Sequence, residues 1–477
     1  MTRAFVIGSG PNGLAAAIVL AQAGLSVEVF EAEEQPGGAC RSLPLTLPGF
    51  LHDFGSAVHP LAVGSPFFSS LPLAQHGLEW IHGFAPLAHP FDDGTAVVLE
   101  RDLAETEREL GTDGASWRRI FSPLAERWQQ LADGCLGPVL RIPSHPLLMA
   151  RFGLGAIQPA HTFVNSHLSG TRARALFAGL AAHSFLGFDR PFSSAAAIML
   201  GAAAHAVGWP IPRGGASAIS TALLAHLQAL GGSLHTSQRI DGRSFRDLGG
   251  GRTLSLFDTT PGTLLSVAGD RLAPRYRSAF ERFQPAPGAF KIDYALSSPV
   301  PWRASACNRA ITVHLGGTFD EIAAAEGEVA RGRNPEQPFV LAVQPTLFDS
   351  TRAPQGQHVL WVYCHVPNAS TFDMTSRIEA QIERFAPGFR DCILARRVLS
   401  PSALQSMDAN LVGGDISGGA FTVQQFLFRP TLRSYSTGAS NLYLCSASTP
   451  PGGAVHGMCG FHAANLALRR TGRRSTT

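Results

Sequence analysis

The chain has 477 residues, enough for two or three domains with substantial cores. Hydrophobic residues make up 45% and charged residues 15%, with a formal net charge of +3 spread over both signs. That balance excludes general disorder and, with no basic block beyond the short "RRTGRRSTT" tail, argues against a nucleic-acid partner.

The first elements are in "AFVIGSGPNGLAAAIVLAQAGLSVEVFEA" (4–32). Ala4 to Ile7 read as an apolar strand, Leu14 to Ala23 as an Ala-rich helix closed by Gly24, and Val27 to Phe30 as a second strand ending at Glu31. Between the first strand and the helix, Gly8, Gly10 and Gly13 spell G-x-G-x-x-G, with Pro11 and Asn12 inside the turn. Gly8 permits the tight turn, Gly10 lets backbone N–H groups approach a pyrophosphate, and Gly13 lets helix and strand pack closely. The positive helix end then faces the phosphates, and Glu31 stands where a carboxylate takes a ribose hydroxyl. The next residues, "EAEEQPGGACRS" (31–42), carry the doublet Gly37-Gly38 that marks the FAD-binding members of this class, and Arg41 can neutralise phosphate charge. No second complete G-x-G-x-x-G follows, so no separate NAD(P) domain is expected.

Residues 76–207 read as largely helical, with patterns such as "DLAETERELGTDGASWRRIFSPLAERWQQLAD". The uncharged run "PFSSAAAIMLGAAAHAVGWPIP" (191–212) is diluted by Pro, His, Ser and Gly. It reads as the wall of a greasy pocket or as ordinary helix packing, not as a membrane span. His183 and His205 read as packed core residues, and His59 as a candidate cavity residue. "GGSLHTSQRI" (231–240) reads as a strand returning to the dinucleotide domain. Residues 271–404 mix strands ("HVLWVYCHV") with a helix ("SRIEAQIERFA"). Near the end, Asn441 to Cys445 read as a strand, Pro451, Gly452 and Gly453 as a close backbone turn, and a helix is expected from about Val455.

Seven scattered cysteines, Cys40, Cys135, Cys307, Cys364, Cys392, Cys445 and Cys459, fit reduced thiols and a cytoplasmic setting, and the early strand leaves no room for a signal peptide. No His, Asp or Glu cluster has metal-ligand spacing.

The fingerprint, together with "HDFGSAVHP" (52–60), "GWPIPRGGASAISTALLAHLQALGGSLHT" (208–236), "GAFKIDYALSSPVPW" (288–302), "NLVGGDISGG" (410–419), "FRPTLRSY" (428–435) and "NLYLCSASTPPGGAVHGMCGFHAA" (441–464), resembles the phytoene desaturase-like branch of the FAD-dependent oxidoreductases. This branch sits with the flavin amine oxidases and carotenoid desaturases. The resemblance implies an α/β fold: a Rossmann-type, glutathione reductase-like FAD domain with an inserted α+β substrate domain. The FAD domain is expected from 1–75, 208–270 and 405–470, the substrate domain from 76–207 and 271–404, with 471–477 a disordered tail. It further implies that backbone near Ile240 meets the adenine, and that Ser446, Gly452, Gly453 and Met458 close the flavin site. Many relatives have an acid where this chain reads Ser446-Ala447-Ser448. Lys291, the sole lysine of the chain, occupies the segment that in flavin amine oxidases brings a lysine near flavin N5, and His456 falls where it would face the ring.

The expected activity is hydride removal from a lipophilic, polyene-like substrate to FAD, with oxygen or a quinone as acceptor. The rivals are a flavin amine oxidase, a redox-neutral isomerase, and a lipid-binding, chaperone-like protein such as the Rab GDP-dissociation inhibitors. Peripheral contact with the inner face of a membrane and a homo-oligomer are both compatible with this reading.

Overall fold

The computed structural model of the protein describes residues 3–138, 141–249, 253–470 and 472. The tail expected at 471–477 lies, Gly472 apart, outside the described residues. The strands that organise it are β1 (Arg3–Ile7), β2 (Ser26–Phe30), β3 (Ala85–Pro90), β4 (Ala96–Leu99), β5 (Ser233–His235), β6 (Leu254–Phe257), β7 (Gly288–Leu296), β8 (Ala310–Leu315), β9 (Val340–Val343), β10 (His358–Val366), β11 (Ile393–Leu399) and β12 (Leu442–Leu444). The helices that matter most are α1 (Pro11–Gln22), α2 (Pro146–Ala156), α3 (Thr171–Ala182), α4 (Ala195–Ala206), α5 (Ser217–Ala229), α6 (Thr375–Phe385) and α7 (Met458–Arg470).

One sheet is wholly parallel, in the order β12-β6-β1-β2-β5. A parallel sheet must be covered on both faces, and the strand sequences provide for it. In β1, Ala4 and Val6 turn toward α1, α5 and α7, while Phe5 and Ile7 turn toward Phe245, Leu264 and Phe280 on the opposite side. The second sheet is mixed, in the order β11-β7-β10-β9-β8-β3-β4. One of its faces, with Ile292, Tyr294 and Val362, packs on Ile378, Ile382 and Phe385 of α6. The other face, with Leu341, Trp361 and Tyr363, joins the core of the first layer.

The stretch 76–207 is largely helical, as its pattern predicts, but not only helical. It supplies β3 and β4, and β3 pairs in parallel with β8 through Ala85 and Ala310, a partner too distant for local periodicity to reveal. The helical pattern after Leu103 is also broken, into 103–110, 114–125 and 128–135, with Gly111 at φ 56° ending the first piece. The last helix starts at Met458 rather than near Val455.

Helix α7 crosses α1 at Gly460. A Cβ there would run into the Asn12 carbonyl oxygen and come within 2.8 Å of the Ala16 nitrogen. The absent side chain is what brings the two ends of the chain together. Gly460→Ala is therefore expected to lower stability by ~1–3 kcal/mol through overpacking of this crossing, measured by denaturant unfolding. An unchanged midpoint would show that the crossing can spread at no cost.

Candidate functional site

The three fingerprint glycines pack on one side chain that the sequence did not single out. A Cβ on Gly8 would lie 2.7 Å from the Asp258 carbonyl oxygen, and one on Gly10 would lie 2.7 Å from Asp258 Oδ2. A Cβ on Gly13 would strike the Gly8 carbonyl. Asp258 follows β6, and its Oδ2 accepts the Gly13 N–H at 2.8 Å, which anchors the first turn of α1. Glu31, buried at the end of β2, accepts from the Ser9 N–H at 2.9 Å, from Ser9 Oγ at 2.6 Å and from the Glu33 N–H at 3.0 Å. Ser9 Oγ also accepts the Gly37 N–H at 3.2 Å. The first and second glycine turns are thus tied through one hydroxyl. Arg41 donates to the carbonyls of Gly38 and Met407 at 2.9 and 2.5 Å, so its charge is held at the cradle by the 407 segment.

The C-terminal turns close the other side. Ser446, Ala447, Ser448, Gly453, Ala454 and Val455 line the same cavity as Gly8, Gly10, Pro11, Asn12, Glu31, Gly38, Arg41 and Ile240. A Cβ on Gly453 would sit 2.7 Å from the Ser417 carbonyl oxygen. Buried Arg429, also not anticipated, donates to the carbonyls of Ser417, Gly419 and Ala447 at 3.1 to 3.3 Å and pins these turns together. Gly13, Gly37, Gly452 and Met458 shape the turns and helix starts without lining the cavity. Cys40 lines the cavity and Cys459 does not; burial pushes both thiols up to about 12, which keeps them unreactive.

Neither expected catalytic residue reaches the cavity. His456 is fully buried behind the turn. Ala454 has φ 89°, and the chain turns there so that His456 Nδ1 accepts the Met458 N–H at 3.0 Å and starts α7. Burial holds this imidazole down to about 4, partly offset by the Gly453 and Gly452 carbonyls. Lys291 is buried on β7 and ion-paired with Asp293 two residues along the same strand face. Its ammonium lies 5.6 Å from the ring centre of Trp361, and it is Trp361 that lines the cavity. Burial lowers the Lys291 pKa and raises Asp293 to about 6, each opposed by the other's charge. The alternation K-x-D in a strand could have revealed the pair. His205 is a core residue that accepts from Trp117 Nε1 at 3.0 Å, whereas His183 and His59 line the cavity. Among the described residues no group of His, Cys, Asp and Glu could hold a metal ion.

The cavity measures about 510 Å³ and runs unbroken from the glycine cradle to Leu341, Trp361 and Tyr363 of the second sheet. It suits a long dinucleotide. The cradle leaves no room for side chains, the Glu31 carboxylate faces it, and Asn12 Oδ1 is buried in its lining with no partner among the described residues. These residues fit FAD, with the pyrophosphate taken by residues 8–12, the ribose by Glu31, and the remainder by the turns at 446–448 and 453–455.

Burial, aided by Asp408 and Glu31, pushes Asp258 up to about 7 from its ordinary 3.8. The folded protein therefore binds a proton at Asp258 that the unfolded chain releases above about pH 4. The stabilisation is complete below that value and is lost as pH rises toward 7. Wild type is expected to lose stability between pH 5 and 7 more steeply than Asp258→Asn, by up to ~1.4 kcal/mol per pH unit. Urea unfolding at three pH values measures the difference, and parallel profiles would mean that Asp258 is ionised in the fold.

Residues 6–68 match the model of an NAD(P)-binding Rossmann-like domain. The rat pyridine nucleotide-disulfide oxidoreductase domain-containing protein 2 is 26% identical, with 98% of this chain and 93% of that protein aligned. A lycopene-forming phytoene desaturase from Pseudescherichia vulneris is also 26% identical, over 98% and 99%. Among solved structures, an oxidoreductase from Methanosarcina mazei superposes with a TM-score of 0.65 at 17% identity, covering 97% of this chain and 99% of that one. A putrescine oxidase with putrescine bound gives 0.61 at 14% identity, covering 99% of each. Sequence similarity that runs from the first strand into the last helix makes this chain similar to the phytoene desaturases, and it is an FAD-dependent oxidoreductase.

Proposed function

We propose that the protein dehydrogenates a lipophilic, polyene-like substrate. The observation that carries this reading is the wall of the cavity beyond the cradle. Leu61, Phe185, Met199, Leu200, Trp209, Leu341, Trp361 and Phe421 line it, a predominantly apolar and aromatic surface. When bound, FAD supplies the two-electron acceptor for a hydride. The wall excludes water and holds a flat, extended chain in one orientation. The adjacent carbon's proton becomes strongly acidic once the hydride has gone and passes to solvent at the open end of the cavity, so no strong base is needed. Phytoene desaturases among the relatives support this reading. The likeness to putrescine oxidase is one of fold.

The test is anaerobic. Purified holoprotein is mixed with an acyclic polyene or with putrescine, and bleaching of the flavin absorbance is followed before air or a quinone is admitted. The polyene is expected to bleach the flavin and putrescine to leave it unchanged. The reverse would establish an amine oxidase. Conversion of the polyene without bleaching would point to an isomerase, and neither bleaching nor conversion would leave a binding protein.

We further propose that the substrate is collected from a membrane surface. No helix among the described residues is long and apolar enough to cross a bilayer. Instead, Leu147 and Leu154 on α2 are 86% and 71% exposed, flanked by Ile142 at 96% and Ile157 at 54%. Arg151 is exposed on the same helix. Helix α2 packs on α4, where Gly155 meets Ile198, and α4 supplies Ala196, Met199 and Leu200 to the cavity wall. The apolar patch therefore adjoins the wall a lipophile would pass. Sedimentation with vesicles containing anionic lipid is expected to carry wild type down and to leave Leu147→Ser/Leu154→Ser in the supernatant; equal partition of both would remove the membrane from this reading.

A further inference from the structure

Two of the polar side chains in the lining stand beside its aromatic residues and are not used by the dehydrogenation. His183, at the end of α3, and Tyr363, on β10, both line the cavity. Behind them, His314, Leu341 and Tyr363 form one row across β8, β9 and β10, because His314 pairs with Leu341 and Leu341 with Tyr363. Two inter-strand spacings separate the ends of that row, ~10 Å of backbone. His183 stands on its His314 end, with His183 Nε2 3.2 Å from His314 Nε2.

A contact between two Nε2 atoms is a hydrogen bond only if one of them carries the proton. His314 decides which. Its Nδ1 is buried with no partner among the described residues, pressed against Gly179, where a side chain would strike it. Orphaned buried N–H groups are rarer than under-satisfied acceptors, so the His314 proton belongs on Nε2 and is donated to His183 Nε2. Burial holds both imidazoles neutral, far below their ordinary range for His314 and at about 3 for His183. The His183 proton then sits on Nδ1, its one remaining polar atom, on a side chain that lines the cavity. Tyr363 offers a second donor. Its hydroxyl makes no hydrogen bond within the described protein, and burial beside the Glu326 carboxylate keeps it protonated. That carboxylate is held by His365 Nδ1 at 2.8 Å, and the His365 ring backs Phe185 at 4.0 Å between ring centres. With Trp361 Nε1, which also has no partner among the described residues, the His183 N–H and the Tyr363 O–H offer donors to a ligand oxygen.

We propose that His183 and Tyr363 form a polar subsite for the carbonyl oxygen of a lipophilic ligand, so that the cavity takes conjugated chains ending in an aldehyde or ketone in preference to plain hydrocarbons. This rests on the reading that a lipophile enters the cavity, but not on its being dehydrogenated. The same chemistry would be supplied by the ring oxygen of a quinone serving as electron acceptor, and the test separates the two sources.

Holoprotein is titrated anaerobically with three probes, followed by flavin fluorescence: an acyclic C20 polyene aldehyde, the same polyene ending in a methyl group, and a short-tailed benzoquinone beside its tail alone. A site built to bond an oxygen discriminates strongly against the analogue that lacks it, so the aldehyde is expected to bind at least about 10-fold more tightly than the methyl-ended chain. His183→Leu and Tyr363→Phe should each bring that ratio toward one. Tyr363→Phe removes a single hydroxyl and keeps the test valid should His183→Leu fail to load FAD. A preference confined to the quinone, and lost in the same variants, supports the subsite and assigns it to the electron acceptor. Equal affinity for aldehyde and methyl-ended chains without a quinone preference, no binding of any probe, or a ratio unchanged in both variants overturns it. Polyene bleaching without a carbonyl preference would leave the dehydrogenase reading standing and remove this one, and a His183-dependent preference without bleaching would do the opposite.

Discussion

The crossing of α7 on α1 at Gly460 is the constraint from which the site follows. One backbone carbonyl, that of Asn12, occupies the space that a side chain at position 460 would need. Because the helices meet so closely, β12 can lie beside β6, which lies beside β1, and the turns at 446–455 face the glycine turn at 8–13 across one cavity. A ligand too long for either end of the chain is bridged by both. Asp258 completes the junction. It bonds the first turn of α1 and fills the space under the glycines, which is why these three positions exclude side chains apart from any need of the ligand.

A second constraint joins the two layers. The buried ion pairs Lys291–Asp293 and Arg352–Asp53 lie where β7 of the second sheet faces residues 52 and 53 of the first layer. Asp293 also sits 3.7 Å from His52, whose pKa burial lowers to about 3, so the histidine adds no charge. Two cations and two anions cancel. Such a group contributes little net stability against an apolar alternative, yet losing one member strands a buried charge. Its effect is to specify how the second sheet sits on the first layer, and so to place Trp361 and Tyr363 in the cavity lining.

The parts of the site legible in the sequence are those whose chemistry is local. A glycine turn between a strand and a helix, an acid at the end of the next strand, and a second glycine doublet each state their requirement within a few residues, and Gly8, Gly10, Glu31, Gly38 and Arg41 do line one cavity. What depends on depth or on distant partners was read less well. The strand around Lys291 was legible and so was its alternation, but not that Trp361, its ring centre 5.6 Å from the ammonium, lines the cavity while the lysine does not. His456 was placed one turn too early, because the positive φ at Ala454 moves it behind the backbone. Asp258 and Arg429 carry no local signature at all, since the partner of the first lies 245 residues away and those of the second in two separate loops.

By itself the sequence determined which strand and helix open a dinucleotide cradle, and its resemblance to a flavoprotein family implied that the other end of the chain closes it. Backbone turns and helix starts are set by short-range sterics, and glycine spacing records them directly. Only the tertiary structure decided which side chains face the ligand and which face the core. Of two residues of the same type, His183, read as packed core, lines the cavity, and His456, read as facing the ring, caps a buried helix. That difference comes from how the second sheet and the last helix pack, and packing is a property of surfaces brought together from far apart in the sequence.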